Sequence, residues 1–113
     1  MKKAFDLGNK ESVIEIGGKY ASLIKTINEL PKEIKLTSGI LNVLVKSMIN
    51  FANSHSVLFQ MSGNIDNIKK AIKQIDEAIA LLNKYSDIIP DSKDQIDECF
   101  RIQKIVFDLD LNI

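Results

Sequence analysis

The side chains able to do chemistry are few in this sequence and stand far apart. His55 is the sole histidine, flanked by Ser54 and Ser56, and Cys99 is the sole cysteine, beside Phe100. A nucleophilic triad needs Ser or Cys, His and an acid gathered by the fold, and no motif here gathers them. The pattern of helical ribonuclease toxins, Arg followed a few residues later by His, is missing, because the sole arginine, Arg101, lies downstream of His55. One Cys excludes a disulfide framework and any zinc site with two or more thiolates. Asp87, Asp91, Asp94, Asp97 and Glu98 form the densest acidic run. A calcium loop needs a central Gly that this run lacks, whereas acids at a helix start suit the cap and the macrodipole. No Glu-x-x-His di-iron motif and no Gly-rich phosphate loop occurs, so we expect no cofactor, no metal and no enzymatic activity.

Lys69, Lys70 and Lys73 form a small basic patch with no aromatic interleaved in sequence. It reads as a solvated helix face or, more sharply, as a surface for the acidic fourth helix of a neighbouring subunit or for a phosphate backbone. With Lys46 these are the candidate nucleic-acid contacts. Residues 1–46 carry eight lysines against five acids, and residues 47–113 seven bases against ten acids. The whole chain is neutral, with 15 basic and 15 acidic residues, which argues against a nonspecific grip on nucleic acid or anionic membrane as its main activity.

The elements that position these residues read as helices. A length of 113 residues, 45% hydrophobic and 27% charged, fits one globular domain over 1–113. Such a chain can bury roughly 65% of its unfolded surface. We expect residues 1–11 to be a disordered or extended lead-in. No secretory leader is visible, since Asp6, Gly8, Asn9, Lys10 and Glu11 interrupt any early apolar run. Leu36 to Met61 holds too many Ser, Asn and Gln residues for a membrane span. The expectation is a cytoplasmic protein.

Val13, Ile16, Tyr20, Leu23, Ile24, Ile27 and Leu30 repeat at helical steps. Gly17 and Gly18 weaken that first segment, each by about 1 kcal/mol against Ala, and leave open a short extended stretch over Val13 to Ile16. A second segment starts at Lys32 or Thr37 and runs to Gln60, apolar over most of its circumference. Such a helix must be covered on more than one side; we expect Leu41, Val43, Ile49 and Val57 to be the oligomer or partner interface. Ser62-Gly63-Asn64 turns into a third helix with Ile65, Ile68, Ile72, Ile75, Ile79 and Leu82 on one face. On its surface Asp66 can pair with Lys70, and Lys73 with Glu77. Ile88-Ile89-Pro90-Asp91 ends that helix, and Asp91 with Asp94 resembles a capping box for a fourth. The expected fold is all-α, an antiparallel up-and-down four-helix bundle.

Leu30-Pro31-Lys32-Glu33, then Leu36-Thr37-Ser38 with Ile40, and Val45, Asn50, Phe51 and Ala52 in register, carry a resemblance. The chain resembles the four-helix-bundle family encoded by intervening sequences in bacterial ribosomal RNA genes. That superfamily includes the accessory variability determinant of diversity-generating retroelements. Gly39 stands where the family has Gln, Leu41-Asn42 where it has a basic pair, and Met48 where proline is usual. The resemblance implies a homo-pentamer, an adaptor between a reverse transcriptase and its RNA. With it, the reading is a non-enzymatic homo-oligomeric helical adaptor or scaffold; the residues alone leave open a second copy or another partner for the second helix. The alternative is a small protein-binding module, an immunity protein or chaperone, that docks through the second helix.

Overall fold

A computed structural model of the chain describes residues 10–111. Those residues are all-helical in five segments and span 40 × 25 × 22 Å. They are α1 (Lys10–Asn28), α2 (Lys32–Lys35), α3 (Ser38–Ser62), α4 (Ile65–Lys84) and α5 (Ser92–Leu111). The lead-in expected over residues 1–11 lies outside the described residues except at its end, where Lys10 and Glu11 already belong to α1.

α1 runs unbroken through Gly17 and Gly18, so the extended stretch over Val13 to Ile16 does not form. The reason is packing: Val13, Ile24 and Ile27 are buried on the face that meets α3, and that burial outweighs the glycines' poor propensity. Both expected starts of the second helix are realised, as separate helices. Pro31 opens the one-turn α2, whose carbonyls bond Leu36 and Thr37, and α3 then begins at Ser38. Gly63 closes α3 in the left-handed region, φ 73°, with its N–H bonded to Phe59 O at 2.7 Å, a conformation cheap only for glycine. Asn64 caps α4 by accepting from the Asp66 N–H at 3.0 Å.

The start of α5 departs from the expected capping box. Asp91 takes φ 53°, whereas an N-cap residue needs extended geometry to aim its side chain at the helix amides. The tight turn after Pro90 imposes this, and Asp is among the few residues that tolerate it. Gln95 holds the corner instead. It is buried, and its Nε2 donates to Asn42 Oδ1 and to Pro90 O, each at 2.9 Å.

α3 is the central element, touched by α1, α2, α4 and α5. Leu41, Leu44, Val45, Met48, Ile49 and Ala52 on α3 meet Ile68, Ile75 and Leu82 of α4 and Cys99, Ile102 and Val106 of α5 in one core. The serines that argued against a membrane span point inward. Ser47, Ser54 and Ser56 are buried, and each donates to a carbonyl of its own helix at 2.7 to 2.9 Å, so none carries an unmet hydroxyl. No helix among the described residues is long and apolar enough to cross a membrane.

Candidate functional site

α1 lies on α3 and makes little contact with α4, which leaves a trough between α1 and α4 with α3 as its floor. Its best-formed part encloses about 390 Å³. α1 supplies Ile14, Gly17, Gly18 and Ala21 to one wall, α3 supplies Phe51, His55 and Leu58, and α4 supplies Lys70, Lys73 and Gln74.

His55 is half-buried at this floor. Its ring meets Phe51 with centroids 4.3 Å apart and planes tilted by 54°, and its Nδ1 lies 2.9 Å from Asn67 Oδ1. An amide oxygen only accepts, so Nδ1 carries the proton and, in the neutral ring, Nε2 keeps a lone pair. Burial holds the imidazole pKa below its ordinary 6.5. The Asn67 bond opposes that shift, and the nearby Lys70 ammonium adds to it. The ring is therefore neutral at pH 7. No carboxylate orients it, which removes the usual means of making it a strong base.

The four lysines expected to contact nucleic acid are all exposed, but the fold separates them. Lys70 and Lys73 sit together on the trough. Lys46 lines a different groove, with Asp91, Asp94, Gln95 and Glu98, where carboxylates surround it. Lys69 lines neither. The surface pairs Asp66–Lys70 and Lys73–Glu77 do not form. Phe51, Gln74 and the two glycines join this site only through the packing of three helices, and the aromatic that the basic patch lacks in sequence arrives from α3.

The expected interface residues also divide. Leu41 is fully buried and Ile49 is 7% exposed, so both belong to the chain's own core and neither is free to meet a partner. Their side of α3 is covered by the chain's other helices. Val43 is 42% exposed and Val57 half-buried. The larger apolar surface lies elsewhere: Phe100 and Phe107 on α5 are 51% and 44% exposed, with Leu111 beyond them and Ile14 and Leu23 on α1.

Cys99 is fully buried against the core. Burial, helped by the Glu98 charge, pushes its thiol pKa up to about 11, the opposite of an activated nucleophile. Among the described residues no three His, Cys, Asp or Glu side chains gather closely enough to hold a metal ion. Comparison with protein-family models, with curated proteins and with solved structures finds no match to this chain.

Proposed function

We propose that the chain is a non-enzymatic, homo-oligomeric adaptor or scaffold serving a reverse transcriptase or another RNA-handling complex. In this reading its four long helices form an antiparallel up-and-down bundle. The observation that carries the proposal is uncovered apolar surface on α5. Phe100 and Phe107 are seven residues apart, two helical turns, and Leu111 follows four later, so all three fall on one stripe. Large exposed apolar stripes mark protein contacts, and a second copy is the partner that supplies the same surface at every encounter. The family resemblance sets the expected number at five.

A non-enzymatic role is supported by the state of the two reactive side chains, since His55 is bonded to an amide and Cys99 is buried. The RNA side of the proposal is supported by Lys70 and Lys73 standing without a carboxylate partner at the trough. The alternative, a module that docks through α3, keeps only Val43 and Val57 of its four contacts. RNA binding followed by fluorescence anisotropy across a salt series tests the reading. A binding constant that falls steeply with salt supports it; no binding at 50 mM salt by an oligomeric chain would refute the RNA role.

A further inference from the structure

Neither glycine of the α1 pair is required by packing or by backbone geometry. Both residues lie inside a helix, where Gly lowers stability relative to Ala. A Cβ on Gly17 would meet Ser54 Cβ at 3.5 Å, an ordinary contact, and one on Gly18 would meet nothing within 4 Å. What the pair does is lower one wall of the trough, giving access to Phe51 and His55 at its floor. Across from it stand Lys70 and Lys73. Gln74 lines the same space.

We infer that this trough is a binding site for a nucleotide moiety, its base against the Phe51–His55 ring pair and its phosphate on Lys70 and Lys73. Each part of the ligand answers a feature of the site. Two ammonium groups without carboxylate partners call for an anion. The ring pair offers a stacking surface that any base can use. Inorganic phosphate would leave the apolar floor unmet, and a fatty acid would leave the two rings without a stacking partner. At about 390 Å³ the space sits at the lower end of the roughly 300–1,000 Å³ usual for small-ligand sites. The nucleotide is either free or one unit of a single-stranded RNA. Only the second source rests on the RNA-handling reading above.

Because His55 is the only histidine of the chain, its ring proton resonances report on this site alone. The experiment titrates the full chain with adenosine monophosphate, with inorganic phosphate and with a short oligoadenylate. The expected result is a saturable shift with the mononucleotide at least tenfold tighter than with phosphate, weakened at least tenfold in Lys70→Ala/Lys73→Ala. Gly18→Leu fills open space and improves helix propensity, so it should raise Tm and abolish the shift. An oligonucleotide at least tenfold tighter than the mononucleotide identifies an RNA strand as the source; equal affinity identifies the free nucleotide. No shift at millimolar ligand, phosphate binding as well as the nucleotide, or unchanged binding in a folded Gly18→Leu would each overturn the proposal. The oligomeric mass of the same samples, which Gly18→Leu should not alter, separates this outcome from failure of the assembly reading.

Discussion

His55 Nδ1–H donates to Asn67 Oδ1 at 2.9 Å, twelve residues on and across the turn between α3 and α4. The bond fixes which imidazole nitrogen keeps its lone pair. It also fixes how the ring responds to its neighbours, and the signs can be worked out. Asn67→Ala removes an interaction that favours the charged ring, so the His55 pKa should fall further. Lys70→Gln removes a repulsive charge, so it should rise. NMR titration of the single histidine measures both; shifts of opposite sign to these would contradict the assigned environment.

The same depressed pKa predicts a pH dependence of folding. Above pH 6.5 the ring is neutral in both states and contributes nothing. As pH falls below 6.5 the unfolded chain takes up the proton first, so this residue's contribution lowers stability progressively until the folded-state pKa is passed. Urea denaturation midpoints of the wild type and His55→Gln, compared across pH 5 to 8, check it. The difference between the two should change below pH 6.5 and stay flat above it.

Leu41 and Val43 are two residues apart on α3 and should behave oppositely. Leu41 is wholly enclosed, so Leu41→Ala should cost about 2–5 kcal/mol. Val43→Ala, at an exposed position, should stay within about 0.5 kcal/mol. Chemical denaturation decides this. Equal losses at the two sites would contradict the packing of α3. Ile49→Asp is a poor probe of partner binding for the same reason, since it places a charge in the core.

Cys99 should resist alkylation by iodoacetamide at pH 8 in the native chain and react at once in denaturant. Its thiol is both covered and held protonated, with a pKa near 11. Labelling of the native protein at the rate of a free thiol would mean that α5 does not pack as described.

The helices were legible where pattern and burial agree. The isoleucine spacing of Ile65, Ile68, Ile72, Ile75 and Ile79 sets α4 with no need of tertiary information; its start is as expected, but it ends at Lys84 with Tyr85 as C-cap, short of the stop expected at Ile88-Ile89-Pro90-Asp91. The start of α5 was less so, because the positive φ of Asp91 comes from a turn that Pro90 and Gln95 settle together across 53 residues of chain, down to Asn42. Along α3 the chain's own α1, α4 and α5 cover much of the apolar circumference and leave Val43 exposed, a division that pattern alone does not reveal. The trough was out of reach because three helices build it. Lys70 and Lys73 were visible as a basic pair, but that Phe51 lies beside them follows only from how α3 and α4 pack.

Absolute mass by light scattering across a size-exclusion peak decides whether the chain assembles through the uncovered stripe of α5. For a chain of 12.7 kDa the expected result is a discrete multiple of that mass at micromolar concentration, five copies by the family resemblance. Phe100→Lys/Phe107→Lys, which changes two exposed positions, should return the mass to one folded copy. A wild-type mass of 12.7 kDa at every concentration tested, or an oligomer that survives the double substitution, would contradict it.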